Sequence, residues 1–302
     1  MSANLSFANN KNEITKMDPT VLAHLNQDFS KNNGNYLTRV QLHNPVGSIY
    51  GFRYKGVYQY TRYSEVEKPG VSGPNAPVAR DAEGNVVHDK YGLTVPMVFC
   101  YNSDDQRAIY EFKGGDAIYE DINHDGNINE LDIVYLGSSL PKFTGGWGLK
   151  FNYDRWQLNT QFTFRYGNKI INAARMNAES MYDNKNQSIA VNWRWRIEGQ
   201  DAQIPRALYR EGYNWLGSDR FVEKGSYMRL NYAQLSYSLD PKILKQYGLS
   251  QLSLYLSANN LFCWTAYSGA DPEVDYGGSG VVTDNARTPV AKSYTLGITV
   301  QF

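Results

Sequence analysis

The C-terminal stretch Tyr294-Thr295-Leu296-Gly297-Ile298-Thr299-Val300-Gln301-Phe302 carries an apolar residue at every second position and a small or polar residue between. Successive side chains of a strand point to opposite faces, so this alternation describes a β-strand with one apolar and one polar side. A strand of a soluble sandwich and a strand of a membrane barrel share that pattern, and further strands must decide between them.

Working outward, Trp147, Leu149, Phe151 and Tyr153 alternate with Gly148, Lys150 and Asn152. After Asp154-Arg155, Trp156, Leu158, Thr160, Phe162, Phe164 and Tyr166 alternate with Gln157, Asn159, Gln161, Thr163 and Arg165. The pattern predicts a hairpin of strands roughly ten residues long, the length at which a tilted strand crosses a bilayer. Tyr153, Trp156 and Tyr166 stand at strand ends, as in the aromatic girdles of membrane barrels. Lys, Asn, Gln and Arg on the second face suit a wet lumen better than a dry core. Further strands are predicted at about 226–239, 251–262 and 4–8, making about six. Short connections fall at 154–155 and about 240–250, and long ones at about 10–142, 167–225 and 263–290. If Phe302 ends in the periplasm, both short turns are periplasmic and every long segment is extracellular, as in outer-membrane barrels.

Composition agrees. The 302 residues include 24 tyrosines, aromatics make up 14%, and 30 basic residues balance 30 acidic ones. Zero net charge with no basic stripe argues against a nucleic-acid partner. No run of about eighteen apolar residues occurs, so no transmembrane helix is predicted, a statement that leaves barrel strands untouched. Cys100 and Cys263 have no metal-type spacing; two unpaired thiols are the favoured reading, with a distant disulfide in an oxidising compartment as the alternative. Residues 1–5 show neither a charged nor an apolar leader region. Single-chain membrane barrels begin at about eight strands, so six are too few. The expected fold is therefore all-β: the C-terminal antiparallel strands of a large transmembrane β-barrel, incomplete in this chain. Residues 10–142 form a long extracellular segment and residues 143–302 the membrane strands and their loops, with plug domain and signal peptide expected to be absent.

The sharpest local motif runs from Asp121 to Asp132 and fits the calcium-loop template with Asp in place of the final Glu. Asp121, Asn123 and Asp125 offer side-chain oxygens, Asn127 its carbonyl, Asn129 a direct or water-mediated ligand, and Asp132 the closing carboxylate. Gly126 allows the sharp turn. A structural Ca2+ stiffening this loop is expected; the competing reading is a polar turn built from the usual turn residues. Catalysis finds little support. His24, His43, His88 and His124 are scattered without metalloprotease spacing, and no nucleophile-elbow or phosphate-loop pattern occurs. Asp271 and Glu273, a conceivable carboxylate pair, read better as part of a Pro-containing turn. The chain is not expected to be an enzyme. The long segments are aromatic: Trp193, Trp195, Tyr209, Tyr213 and Trp215 in one, Trp264, Tyr267 and Tyr276 in another. Such rings stack on sugars or protein partners, or pack against each other to order the loops.

Several stretches, in order along nearly the whole chain, resemble the C-terminal part of SusC/RagA-type TonB-dependent outer-membrane receptors of Bacteroidetes. They are Asn9-Asn-Lys-Asn-Glu-Ile14, Pro45-Val-Gly-Ser-Ile-Tyr-Gly-Phe-Arg-Tyr54, Gly115-Asp-Ala-Ile-Tyr-Glu-Asp-Ile-Asn-His-Asp-Gly126, Pro141-Lys-Phe-Thr-Gly-Gly146 and Tyr166-Gly-Asn-Lys-Ile170. The series continues with Phe221-Val-Glu-Lys-Gly-Ser-Tyr-Met-Arg-Leu230, Ser257-Ala-Asn-Asn-Leu-Phe262, Tyr267-Ser-Gly-Ala-Asp-Pro-Glu273 and the terminal Phe302. Cys263, after Asn-Leu-Phe, departs from the family pattern. The resemblance implies a location in the cell outer membrane in contact with lipid, import of oligosaccharides or peptides, a SusD-like lipoprotein partner, and coupling to the TonB complex through an N-terminal part not in this chain. This chain alone is not expected to transport. A different class remains open beside it: a self-standing, calcium-stabilised β-rich extracellular module for glycan binding or adhesion.

Overall fold

The computed structural model describes residues 1–21, 36, 41–63, 76–100, 109–274 and 280–302. Strand β1 (Ser2–Asn9) is followed by seven short strands: β2 (Ser48–Gly51), β3 (Tyr54–Val57), β4 (Val98–Cys100), β5 (Ile109–Glu111), β6 (Ala117–Tyr119), β7 (Asn127–Ile128) and β8 (Val134–Ser138). The long hairpin β9 (Phe143–Tyr153) and β10 (Trp156–Tyr166) comes next, then the short β11 (Lys169–Asn172) and β12 (Val222–Lys224). The chain closes with β13 (Tyr227–Ser238), β14 (Gln251–Thr265), the two-residue β15 (Thr283–Asp284) and β16 (Ser293–Gln301).

The long strands form one six-stranded sheet in the order β1-β9-β10-β13-β14-β16, with every pair antiparallel. The fold is thus all-β, and the sheet is open: β1 and β16 are its two edges. Opposed residues of an antiparallel pair share a face, so the register carries the sequence alternation across the whole sheet. One row reads Ser2, Lys150, Asn159, Gln234, Ser257, Thr295. The neighbouring row, on the opposite face, reads Ala3, Leu149, Thr160, Ala233, Ala258, Tyr294. Other apolar rows are Phe151, Leu158, Leu235, Leu256, Leu296 and Leu5, Trp147, Phe162, Leu230, Phe262. Against β10 the register shift leaves Asn231 as an extra residue, and against β14 the extra residue is on β14, where Asn260 and Leu261 oppose Asn231. A bulge of this kind absorbs one residue and lets both faces keep their character on either side of it.

Both short connections lie at one end of the sheet. There Arg155 pairs with Asp240, and Ser238 N–H donates to the Arg155 carbonyl at 3.0 Å. The Phe302 carbonyl is at the same end, accepting from Ser250 Oγ at 3.3 Å. The 240–250 connection is more ordered than a turn. Asp240 caps a short helix, Pro241–Leu244, by accepting from Lys242 N–H at 2.9 Å, with Pro in the first turn where its missing N–H costs nothing.

At the other end, the described residues of segments 10–142 and 167–225 fold together instead of forming loose loops. Phe52 N–H donates to the Gly217 carbonyl at 2.9 Å, and Asp219 N–H to the Phe52 carbonyl at 3.1 Å. Gly51 must be glycine at this crossing, because a Cβ there would stand 2.4 Å from the Gly217 oxygen. The largest apolar core belongs to this unit: Tyr50, Phe52, Tyr58, Met97, Phe99, Phe112, Tyr119, Ile128 and Leu216 are all buried within it. No residue of that cluster comes from the six long strands. Among the described residues no helix is long and apolar enough to cross a membrane.

Candidate functional site

The apolar face of the sheet is uncovered. Leu5 is 77% exposed, Leu256 52%, Leu296 77% and Ile298 63%, and Phe262 and Trp264 are about half exposed. Soluble monomers rarely leave a contiguous apolar surface of this extent open, so the face is built to meet lipid or another protein. Aromatic rings gather toward the end nearer the loop unit. Trp147 stacks on Phe162 with centroids 3.9 Å apart, Trp264 lies beside Phe162 and Phe262, and Phe7, Phe143 and Tyr166 form a second row.

The polar face is stitched by side chains. Thr163 Oγ1 donates to Asn231 Oδ1 at 2.8 Å, and Arg229, only 3% exposed, pairs with Asp271 at 2.5 Å. Glu273 Oε2 lies 3.2 Å from Arg229 Nε but off the N–H direction, so it adds charge without a hydrogen bond. Asp271 and Glu273 therefore serve as partners of a buried arginine, in agreement with their reading as a structural turn.

The loop unit is held by a buried ionic centre that no local motif announces. Asp116 is fully buried and accepts from Arg206 Nε at 2.7 Å, Arg206 Nη2 at 3.2 Å, Tyr110 Oη at 2.7 Å, Lys113 N–H at 2.8 Å and Asn214 Nδ2 at 3.3 Å. Burial, and then the Asp116 charge, push the Tyr110 hydroxyl well above its ordinary value, so it stays a donor.

The aromatic candidates separate into groups. Trp215 and Tyr267 are buried, Trp215 edge-on against Tyr182 and Tyr267 donating to Asp284 Oδ2 at 2.6 Å. Tyr213 stacks on Phe99 at 3.8 Å, and Trp195 donates to the Gln59 carbonyl and lies against Gly115. These four pack within the loop unit, which fits the reading of self-packing rings set beside ligand contact: a large loop unit must bury its own rings to be ordered. Trp264 is not in a loop but in β14, on the apolar face. Trp193 and Tyr209 remain well exposed in the loop unit, each 63%. Tyr276 and His24 lie outside the described residues.

The 121–132 loop is anchored through β7, which pairs in parallel with β4. Gly126 N–H donates to Asp121 Oδ2 at 2.8 Å, and Asn127 N–H to Asp125 Oδ1 at 2.8 Å. The Asn123 side chain also ties to Asp125, and that of Asn127 to the Cys100 backbone. Asn129 and Asp132 form a reciprocal capping box on the 3-10 turn Glu130–Asp132, and Asp132 also accepts from Ile122 N–H at 2.7 Å. Asp132 is fully buried, and burial, followed by the Asp121 and Asp125 charges, raises its carboxyl above the usual range. Asp121 Oδ1 is buried without a hydrogen-bond partner. Among the described residues no three Asp, Glu, His or Cys side chains converge as a ready-made metal site.

No family model matches the chain. Over its whole length it is 27% identical to TonB-dependent receptor P39 and 25% identical to TonB-dependent receptor P3 of Formosa agariphila, covering 28% and 26% of those proteins. TonB-dependent receptor P26 of the same organism is 28% identical over 62% of the chain and 20% of its own length. Among solved structures, 99% of the chain superposes on 27% of a chain of the RagAB peptide transporter, with a TM-score of 0.64 and 21% identity. The closed-closed state of the RagAB peptide importer gives 0.60 at 22% identity, with 99% of this chain and 27% of that one covered. This protein is a homologue of TonB-dependent receptors, and it spans about a quarter of the length of the curated relatives it matches. Those relatives are receptors and transporters, which fits a role other than catalysis.

Proposed function

We propose that this chain is a sector of the barrel of an outer-membrane, TonB-dependent nutrient importer of the SusC/RagA type. The apolar face meets lipid, the polar face lines the lumen, and the loop unit stands on the extracellular side. The observation that carries it is the two-faced sheet, with apolar rows running uncovered across its strands while Lys150, Asn159, Gln234 and Arg229 occupy the other side. A self-standing adhesion module would have to cover that apolar face. In the bilayer the unpaired backbone of β1 and β16 needs further strands of the same barrel as partners. A SusD-like lipoprotein would cap the loop unit, and the TonB complex would supply energy through another part of the full receptor. Exposed Trp193 and Tyr209 suit an oligosaccharide or peptide cargo, and the likeness to a peptide transporter supports the second.

Leu256 and Ser253 lie on opposite faces of β14 and test the orientation. In vesicles, with the chain set in its complete barrel, Leu256→Arg is expected to lower folded stability by about 2–4 kcal/mol, the cost of a cation on the lipid side near mid-membrane. Ser253→Arg is expected to change it little. Equal effects, measured by denaturant titration of the inserted protein, would sink the assignment of faces.

A second reading concerns the 121–132 loop, favoured by the partnerless buried Asp121 oxygen and by the template spacing of Asp121, Asn123, Asp125 and Asp132 around it. Ca2+ would be held by Asp121, Asn123, Asp125, the Asn127 carbonyl and Asp132, with Asn129 in support. Because Asp132 also ties down the backbone, its replacement would damage the loop with or without metal. Asp125 is exposed and gives the cleaner test. Added calcium is expected to raise the melting temperature of the loop unit in the native protein and not in Asp125→Asn; the same calcium response in both would rule the site out.

A further inference from the structure

At the loop-unit end of the sheet a cavity of about 390 Å³ opens between the residues after β1, the end of β8 and the start of β11. Lys11, Lys142 and Lys169 line it, together with Glu13, His43 and Tyr135. Glu13 is already engaged by His43 at 3.1 Å. Among the described residues none of the three lysines forms an ion pair, whereas Lys55 and Lys185 each have a carboxylate partner. Three lysine residues thus line one small cavity beside a single, engaged carboxylate.

The position of this charge matters as much as its size. Lys142 immediately precedes Phe143, and its N–H donates to the Tyr166 carbonyl at 2.8 Å. Lys11 lies two residues beyond Asn9, which is paired with Phe143. Phe7, Phe143 and Tyr166 form a row of rings on the apolar face, with centroids 5.2 and 6.3 Å apart, and Phe7 and Tyr166 are each about 60% exposed. A cationic cavity directly beyond an exposed aromatic row has the layout of a lipid site, with charge at head-group level and rings along the upper acyl chains. A site for a free anion has no use for the rings.

We infer that this cavity binds the phosphate-bearing head group of an anionic lipid in the leaflet that faces the loop unit. Lysines act as point charges toward phosphate, and the adjoining rings hold the chains. This inference rests on the proposed orientation of the apolar face toward lipid.

The test reconstitutes the complete receptor that carries this chain, so that β1 and β16 have their partner strands, into phosphatidylcholine vesicles, with or without diphosphorylated lipid A, and scores insertion separately by protease protection in the neutral vesicles. Native protein is expected to retain lipid A preferentially over phosphatidylcholine after extraction into neutral detergent. A Lys11→Gln/Lys142→Gln/Lys169→Gln variant is expected to lose that preference by about tenfold or more, each surface cation being worth a several-fold factor. Glu13→Gln removes the one opposing charge and is expected to strengthen retention, a gain that misfolding does not imitate. Equal retention by native and triple-variant protein would overturn the site. Displacement of the lipid by inorganic phosphate at matched ionic strength would assign the cavity to a free anion and overturn the lipid. Failure to insert into neutral vesicles would overturn the membrane reading and this inference with it, whereas insertion without preference overturns this inference alone.

Discussion

Asp116 shows how much of the loop unit hangs on single side chains. Its carboxylate is fully buried and meets five donors, the strongest of them the forked guanidinium of Arg206. Removing one partner of such a pair leaves a charge in a poorly solvated place, which is far costlier than losing an exposed pair. Arg206→Ala is therefore expected to destabilise the loop unit by about 3 kcal/mol. Arg206→Lys should recover only part of this, since an ammonium cannot reproduce the two-pronged contact. Urea titration followed by near-UV circular dichroism measures both; an Ala variant as stable as the native protein would contradict it. Asp132 behaves similarly within its loop, where a residue first legible as a cation ligand turns out also to hold two backbone N–H groups.

Among the short elements, β12 owes its place to Glu223. Its carboxylate accepts from Ser268 N–H at 2.8 Å, Ser268 Oγ at 2.7 Å, Arg175 Nη1 at 3.1 Å and Asn172 Nδ2 at 3.2 Å, and so ties the segment after β14 to β11 and β12. Burial alone would push this carboxyl up, but the Ser268 and Arg175 contacts outweigh it and hold it below the usual glutamate value. A carboxyl depressed in the folded state contributes stability above its ordinary value and loses it as pH falls through the folded one. Native protein should thus lose loop-unit stability on acidification through the carboxylate range. The Glu223→Gln curve should be flatter there, and parallel curves in thermal melts across that range would refute the assignment.

Taken whole, the molecule has two bodies of unlike construction. The sheet has no core of its own, since its apolar side is open, whereas the loop unit buries a contiguous aromatic and aliphatic cluster to which no long strand contributes. Stability of a domain follows from what it buries, so the two should respond differently to solvent. In detergent, urea is expected to melt the near-UV signal of the loop-unit aromatics while the far-UV strand signal persists. A single coincident transition by both probes would show the bodies to be one cooperative unit. The exposed apolar face and open edges also make association in water without detergent the expected behaviour of this chain.

What could be read from residues alone was what repeats locally. The period-two alternation around Trp147–Tyr166 and Tyr294–Phe302 placed strands to within a few residues, because side-chain direction in a strand is dictated by the backbone pleat. The short turns at 154–155 and 240–250 followed from the same periodicity, although the Asp240 cap made the second a helix. The Asp121–Asp132 spacing was legible for the same reason: a loop motif lies within a dozen residues. Contacts that close only across long separations were not legible, such as Asp116 with Arg206, Tyr267 with Asp284, and the three lysines around one cavity. Nor could the pattern tell which loop rings face outward, since Trp193 and Trp215 have the same chemistry and opposite burial. The sequence by itself determined the strands and their two faces, through local backbone geometry. Only the tertiary structure decided which charges meet and which rings are buried, because both depend on chain closure over many residues.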